Sequence, residues 1–227
     1  MRAIFHPFSN VKKGEILTIE DERARHLQVV RVKPNEEIKV MNGLGKSLIA
    51  NTISIAKNKV ELDVKEIQQE PCFHQISLAL ALPKKDAFED ILKITVELGV
   101  KEIYPLFSTY SQYEFSHSDR IDRILESALI QSNNPFFPII HPQIELKDFL
   151  NSHGHQIVFF NSKPSSASKS LVVDTQTILV GPEGGFSEEE INLVRMRKDL
   201  VEIHLPTPIL RAPTAVASSI AYLLAKG

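Results

Sequence analysis

The sequence predicts an α/β protein in which a small all-β domain precedes a larger domain built on a mostly parallel sheet. Within residues 14–68, short alternating or β-branched stretches are separated by turn residues, which is typical of a small barrel or sandwich. From residue 76 onward, strand patterns alternate with helix patterns, which is typical of βα units. The pattern changes around residues 68–75, so we place the domains at residues 1–70 and 74–227.

The first domain has four predicted strands and one predicted helix. The strand segments are GEILTI, EIKVMNG, SLIANTISIAK and KVELDVKEI. Residues 42–46 (NGLGK) and 57–59 (KNK) have the composition of hairpin connections. Residues 21–32 interrupt the β pattern and predict a short helix.

The second domain has five predicted strands, at residues 76–82, 101–107, 156–161, 177–181 and 201–206. The first of them, ISLALAL, is continuously apolar and therefore suits a strand covered on both faces. A capping-box pattern at Asp86 and Glu89 predicts a helix that ends at Gly99. Further predicted helices are the amphipathic segment 118–132 and a C-terminal segment with Pro213 near its start. Residues 162–170 predict a loop.

Composition excludes several classes of protein. A chain of 227 residues with 43% hydrophobic and 24% charged residues has the composition of a soluble globular protein. Cys72 is the single cysteine, which excludes an intramolecular disulfide and a multi-cysteine zinc site. His153 and His155 have no third ligand nearby in the sequence, so we expect no metal. No apolar run approaches the ~20 residues that cross a bilayer, and no signal peptide is evident, so we expect a cytoplasmic protein without a membrane partner.

The charge is unevenly distributed along the chain. The net charge of −2 argues against a general nucleic-acid coat, but residues 1–70 hold 12 basic and 10 acidic residues. The arginines of this region are Arg2, Arg23, Arg25 and Arg31. A basic face here would meet phosphates, because affinity follows the local patch. The alternative is a solvated surface of mixed charge.

A glycine turn between a strand and a helix is the first candidate site. Residues 179–190 read LVGPEGGFSEEE, in which Ser187 and Glu190 have the spacing of a capping box. The glutamates that open the helix disfavour phosphate, and the glycines match neither a P-loop nor a dinucleotide fingerprint. A cationic cofactor without phosphate fits better, and S-adenosylmethionine is one. Glu183 either faces the cationic end or structures the loop, and a turn without any ligand is the plainer alternative.

A second strand-to-helix junction lies near the end of the chain. Residues 204–215 read HLPTPILRAPTA, and Arg211 is the charged residue of this loop. If the strands before the two junctions are neighbours in a parallel sheet, both loops emerge at its carboxyl edge, where α/β sheets bind ligands.

The two junctions together resemble the paired signatures of the SPOUT-class RNA methyltransferases of the RsmE type. Further similarity lies in HLQVVRVKPNEEI (26–38), MNGLG (41–45), LALPKKDAFEDILKITVELGVKEIYPL (80–106) and Gln131-Ser132, so the resemblance covers nearly the whole chain. It implies an N-terminal PUA-like β-barrel and an α/β domain whose C-terminal segment forms a trefoil knot. It also implies a homodimer that binds S-adenosylmethionine and methylates N3 of a uridine in 16S ribosomal RNA of the small subunit.

The resemblance assigns roles to residues of this sequence. The cofactor loops would be residues 179–186 and 205–211. Their cofactor-binding residues would be Leu179, Gly181, Glu183, Gly184, Gly185, Leu205, Ile209 and Leu210. Arg211 is the candidate catalytic residue, which would stabilise the uracil anion; the alternatives are a salt bridge or an RNA-phosphate contact. The RNA-docking residues of the barrel would be Arg2, Arg23, His26 and Arg31.

The sequence departs from the family pattern at three places. Pro208 stands where the family commonly has arginine, Pro213 where it has glutamate, and Asn133-Asn134 where it tends to have Gly-Arg. These departures leave two other functions open. One is a SPOUT enzyme that acts on another RNA position, and the other is an RNA-binding relic without catalysis.

Overall fold

The structure is a computed structural model, and it describes residues 1–29, 31–72, 75–161 and 176–226. The chain forms two compact units. One comprises Met1–Cys72 and Glu126–Phe137, and the other comprises Phe73–Leu125 and Pro138–Gly227. No sequence pattern assigned residues 126–137 to the first unit, and the roles given to the two predicted domains stay predictions.

The first unit is built on a five-stranded sheet with the order β1-β3-β4-β5-β2. Its elements are β1 (Arg2–Phe5), β2 (Ile16–Glu20), α1 (Asp21–Val29), β3 (Glu37–Met41), β4 (Lys46–Ala56) and β5 (Lys59–Gln69). β1 runs parallel to β3, and the other pairs are antiparallel. Ile19, Leu27 and Leu62 are fully buried in its core. The four predicted strand segments and the helix are confirmed.

The predicted hairpin at residues 42–46 is also a packing site. The Gly45 N–H donates to the Pro135 carbonyl at 2.9 Å, and the Phe137 N–H donates to the Gly43 carbonyl at 2.9 Å. Both glycines have a positive φ, and a Cβ on either would overlap a phenylalanine ring, Phe137 at Gly43 and Phe136 at Gly45. The glycines therefore let residues 135–137 lie against the hairpin backbone.

The second unit is built on a parallel sheet with the order β12-β10-β11-β6-β7-β8, and β9 also pairs with β7. The strands are β6 (Ile76–Ala81), β7 (Glu102–Phe107), β8 (Ile139–Ile140), β9 (Ile144–Glu145), β10 (Gln156–Asn161), β11 (Gln176–Val180) and β12 (Val201–His204). Every residue of β6 is buried, as predicted for a strand covered on both faces. The five predicted strands are confirmed, and the two-residue β8 and β9 were not predicted.

Helices cover the sheet of the second unit. They are α2 (Lys85–Glu97), α4 (Leu146–Ser152), α5 (Glu188–Arg195) and α6 (Ala212–Leu224), and a further helix is α3 (Asp119–Ser132). α4 and α5 pack in one hydrophobic cluster with residues of β6, β10 and β11. α2 and α6 pack against each other, and α6 contacts β11. α4 was not predicted, because its seven residues are too few for a clear helical period.

For α2, the sequence predicted the C-terminal end correctly and the N-terminal cap incorrectly. Its C-terminal end is confirmed, because Gly99 has a φ of +71° and the Val100 N–H donates to the Thr95 carbonyl at 2.8 Å. The predicted capping box at Asp86 is wrong. The helix begins at Lys85 without a side-chain cap, and Glu89 instead forms a bidentate ion pair with Arg120. Arg120, which is distant in the chain, therefore binds the Glu89 carboxylate that the local sequence pattern had assigned to the helix cap.

Two predictions concern the chain after β10. The predicted loop at 162–170 lies outside the described residues. The trefoil knot that the resemblance implies for the C-terminal segment stays a prediction. Among the described residues, no helix combines the length and the apolar character needed to cross a membrane.

Candidate functional site

A cavity of about 540 Å³ lies at the carboxyl edge of the second unit's sheet. The ends of β10, β11 and β12 border it, and its volume is in the range of ~300–1,000 Å³ that is typical of ligand pockets. The two loops of the predicted site both line it, from Gly181 to Phe186 and from Leu205 to Leu210. The two segments singled out in the sequence therefore border one cavity, and their role in binding a cofactor stays a prediction.

The route by which the two loops meet differs from the expectation. β11 and β12 are not neighbours, because β10 lies between them. The loops nevertheless emerge at one edge, since all three strands are parallel. As a consequence the end of β10 contributes a third part of the wall, Phe159, Phe160 and Asn161.

The glycine turn is fixed by its own backbone. The Gly185 N–H donates to the Pro182 carbonyl at 2.8 Å, which closes a four-residue turn. Gly185 has a φ of +73°, a conformation that residues with a Cβ rarely adopt. A Cβ on Gly184 would lie 3.2 Å from the Cβ of Tyr110. The turn therefore presents bare backbone to the cavity while packing tightly against a neighbouring loop.

The predicted capping box at the start of α5 is confirmed. The Ser187 Oγ accepts from the Glu190 N–H at 3.2 Å, and one Glu190 carboxylate oxygen accepts from the Ser187 N–H at 2.8 Å. The other oxygen of Glu190 accepts from the Thr109 N–H at 2.8 Å. One carboxylate thus caps the helix and ties the loop after β7 to the glycine turn.

Glu183 structures the loop. Its carboxylate accepts from the Lys84 N–H at 3.1 Å, which joins the glycine turn to the start of α2. The side chain is exposed and lines the cavity as well. This contact favours the loop-structuring interpretation and leaves a negative charge at the cavity.

The charged residues of the wall are Glu183, Glu188 and Arg195. Arg195 is neutralised, because it donates to the buried carboxylate of Glu202 at 2.8 Å, and this partner raises the pKa of Arg195. The Asn161 amide donates to the same carboxylate at 2.7 Å. Among the residues that the structure describes, the uncompensated charge of the wall is therefore negative, which suits a cationic ligand and disfavours a phosphate.

The second loop contributes apolar side chains and one exposed cation. Leu205, Ile209 and Leu210 line the cavity, and Ile209 is 91% exposed. Arg211 is the N-cap residue of α6, is exposed, and is not among the lining residues although Leu210 and Ala212 are. Its guanidinium therefore lies outside the cavity wall.

The cavity wall also contains one unusual polar atom. Ser219 of α6 lines the cavity, and its hydroxyl is buried without a hydrogen-bond partner among the described residues. A buried hydroxyl without a hydrogen bond lowers the free energy of unfolding by roughly 1–3 kcal/mol.

Leu179 differs from the other predicted cofactor residues, because its side chain is fully buried in the hydrophobic cluster and does not line the cavity.

Two family models match the chain. An RNA methyltransferase domain matches residues 68–224, and an RNA methyltransferase PUA domain matches residues 19–65. The chain belongs to the RNA methyltransferase family. The predicted resemblance is thereby confirmed, as is the predicted architecture of a PUA-like domain followed by an α/β methyltransferase domain.

Individual relatives agree with the family match. The chain is 29% identical over 200 residues to the ribosomal RNA small subunit methyltransferase E of Rickettsia conorii, covering 85% of this chain and 82% of the relative. It is 26% identical over 235 residues to the enzyme of the same name from Aquifex aeolicus, covering 96% and 97%. The crystal structure of the Neisseria gonorrhoeae enzyme bound to S-adenosyl methionine has a TM-score of 0.89, 25% identity, and coverage of 100% and 98%.

The residues predicted to dock RNA on the methyltransferase's first unit have different environments. Arg2 pairs with Glu36 at 3.2 Å. Arg23 pairs with Glu126 at 3.0 Å and lies 5.1 Å from the centroid of the Phe5 ring. His26 and Arg31 are exposed. Their role in docking stays a prediction.

Of the histidine pair considered as a metal site, His153 packs within the second unit. The His153 Nε2 lies 2.7 Å from the Thr177 hydroxyl oxygen, and the ring stacks on Phe149. No group of three or more histidine, cysteine, aspartate or glutamate side chains that could hold a metal occurs within residues 1–29, 31–72, 75–161 and 176–226.

Sequence reasoning missed three parts of the site, namely the end of β10, Ser219, and the loop around Tyr110. The strand QIVFFN was predicted, but its position between β11 and β12 was not. Knowledge of that position would have identified its carboxyl end as part of the cavity wall. Ser219 lies in an alanine-rich helix, and no local pattern distinguishes it from Ser218. Tyr110 contacts the glycine turn only through tertiary packing.

Proposed function

We propose that the protein transfers a methyl group from S-adenosylmethionine to N3 of a uridine in the 16S ribosomal RNA of the small subunit. The observation that carries this proposal is the cavity at the carboxyl edge, whose wall combines apolar side chains and glycine backbone with negative charge from described residues. It lies in a chain that aligns over its whole length with a small-subunit methyltransferase crystallised with this cofactor.

The residues present fit S-adenosylmethionine. Glu183 and Glu188 suit its cationic groups, and the glycine turn leaves backbone groups accessible to it. The residues that would hold the cofactor are Gly181, Glu183, Gly184, Gly185, Leu205, Ile209 and Leu210, with Leu179 supporting the turn from the core.

The chain's contribution to the reaction is mainly positional. Bound S-adenosylmethionine supplies an electrophilic methyl group. The cavity wall and the two loops hold the reacting atoms in line, an effect worth ~7–11 kcal/mol in well-oriented reactions. Uracil N3 would give up its proton to solvent before the N–C bond forms, and the resulting negative charge would lie on the flanking oxygens. Arg211, exposed beside the cavity at the start of α6, is the cation we assign to that charge.

The first unit would supply RNA contacts. Arg31 and His26 are exposed and would meet phosphates directly, whereas Arg2 and Arg23 would exchange their carboxylate partners for phosphate. The target base would be splayed out of any stack, as is general for enzymes that modify bases.

We also propose that the protein works as a homodimer. The resemblance to the RsmE-type enzymes supports this, and Ile209, which is 91% exposed, is the surface position chosen for the test. Sedimentation should give twice the chain mass at micromolar concentration, and Ile209→Ser should shift the equilibrium toward the monomer. Ile139→Ser, at a 56% exposed position, is the matched control and should leave it unchanged.

The reaction is tested with S-adenosylmethionine labelled in its methyl group. The protein is incubated with small ribosomal subunits that lack N3-methyluridine, and the nucleosides are then separated. Label in N3-methyluridine supports the proposal and shows that Pro208 and Pro213 are compatible with activity. The same incubation without the protein is the control for incorporation that does not depend on it.

The same experiment separates the two other candidate functions. Label in a different nucleoside would identify a methyltransferase with another target position. Absence of label together with cofactor binding, measured by calorimetry, would point to another RNA. Absence of both would leave an RNA-binding protein without catalysis and would overturn the proposal.

A further inference from the structure

An exposed tyrosine is held rigidly beside the glycine turn. Tyr110 is 47% exposed and belongs to the loop between β7 and α3. The Cβ and ring atoms of Tyr110 lie 3.2–3.6 Å from the position that a Cβ on Gly184 would occupy. Gly184 lines the cavity and Tyr110 does not, so the ring flanks the cavity from outside.

The backbone on both sides of Tyr110 is fixed by hydrogen bonds. The Thr109 N–H donates to Glu190 at 2.8 Å, and the Gln112 N–H donates to the Leu82 carbonyl at 3.1 Å. The Gln112 side-chain amide donates to the Tyr110 carbonyl at 3.0 Å. An exposed aromatic side chain on so constrained a backbone loses little entropy when it binds a flat partner.

We propose that Tyr110 stacks on an unstacked base of the substrate RNA beside the cofactor cavity. The inference rests on the proposed function, which requires a base to leave its stack and approach the cavity. Aromatic side chains are the usual partners of splayed-out bases, and one such stack contributes ~1–3 kcal/mol. Nothing else described at this face of the turn is both aromatic and exposed.

The alternative is that Tyr110 only packs against Gly184 and shapes the turn. The two roles predict different effects of substitution. Stacking predicts that Tyr110→Ala weakens RNA binding by about 5- to 150-fold and leaves the cofactor Kd unchanged, whereas Tyr110→Phe retains RNA affinity. Packing predicts that Tyr110→Ala weakens cofactor binding instead, and that result would overturn the proposal.

A direct test uses the absence of tryptophan from the chain. Tyr110→Trp and Tyr113→Trp each give a protein with one indole in the same loop region. Tyr113 is the matched control, because it is half-buried and packs edge-on against Phe88. The probes are a uridine hexanucleotide and the same strand without its bases, and binding of each strand is followed by anisotropy of an end label.

We expect the hexanucleotide to quench the indole at position 110 and not the indole at position 113. The strand without bases should bind through its phosphates without quenching either. Three results would overturn the proposed stacking: equal quenching by both strands, quenching at both positions, or binding of the hexanucleotide without quenching. Failure of the wild-type chain to bind the hexanucleotide would overturn it as well. Methyl incorporation is measured separately, so quenching without methylation would count against the proposed function alone.

Discussion

At the scale of single residues, Arg31 occupies a position that favours glycine. Its φ is 56°, and it ends α1 in a left-handed conformation, with the Val32 N–H donating to the Leu27 carbonyl at 3.1 Å. A residue with a Cβ pays roughly 1–2 kcal/mol in this region. An exposed arginine in a costly conformation is consistent with a role for its side chain in binding.

We therefore expect Arg31→Gly to raise the free energy of unfolding by about 1 kcal/mol and to weaken RNA binding. The dependence of log affinity on log salt should fall by about one unit, as for the loss of one phosphate contact. Urea denaturation and RNA titrations at several salt concentrations measure the two effects. Lys198→Gly, which removes a cation outside the first unit, is the control, and a loss of RNA affinity of the same size in this variant would contradict a specific role for Arg31.

The catalytic role assigned to Arg211 can also be tested by substitution of a single residue. If it stabilises the uracil anion, Arg211→Ala should lower kcat by ~10²–10³ with little change in cofactor Kd, because the guanidinium lies outside the cavity wall. Arg211→Lys should recover part of the rate. A raised KM for the subunit with kcat unchanged would instead identify Arg211 as a phosphate contact.

At the scale of elements, the start of α5 joins a helix, a turn and a loop through Glu190. Its carboxylate accepts from the Ser187 N–H and the Thr109 N–H, each at 2.8 Å. Hydrogen bonds to a charged acceptor contribute ~1.5–3 kcal/mol, more than a neutral pair. Loss of the Glu190 carboxylate should therefore lower the free energy of unfolding by more than the loss of a helix cap alone.

Ser187→Ala should lower the free energy of unfolding by ~1 kcal/mol, the usual effect of losing a cap. Glu190→Ala should lower it further and should accelerate hydrogen exchange at the Thr109 amide, which Ser187→Ala should not. Glu189→Ala is the control in the same helical turn. Equal exchange at Thr109 in all three variants would show that the loop does not depend on Glu190.

At the scale of the whole molecule, one histidine links stability to pH. Burial is the main cause that lowers the pKa of His153 to about 4, and the charges of His155 and Arg197 add to it. The unfolded chain, with an ordinary pKa of 6.5, binds this proton before the folded chain does. Between pH 6.5 and about 4 the free energy of unfolding should therefore fall as the pH falls.

His153→Gln should flatten this dependence, because glutamine cannot take up the proton. The flattening should be partial, since burial also lowers the pKa of His6 and adds a smaller loss in the same direction. Thermal unfolding at pH 6.5, 5.5 and 4.5 measures the slope, and the exposed His26→Gln is the control. The same slope in the His153 and His26 variants would contradict the assignment.

Local patterns were sufficient where neighbouring residues make the interaction. The capping box of Ser187 and Glu190, the left-handed end of α2 at Gly99 and the buried strand β6 all formed as predicted. Each depends on contacts within a few residues or on a simple apolar run. The two strand-to-helix junctions that line the cavity were identified for the same reason.

The sequence by itself determined most of the strands and helices and the two loops that line the cavity, because short-range periodicity and turn chemistry encode them. Only the tertiary structure decided that β10 lies between β11 and β12, that Glu202 neutralises Arg195 and that Tyr110 flanks the glycine turn. These features join residues that are distant in the chain or that local patterns do not pair, and strand order and packing fix them.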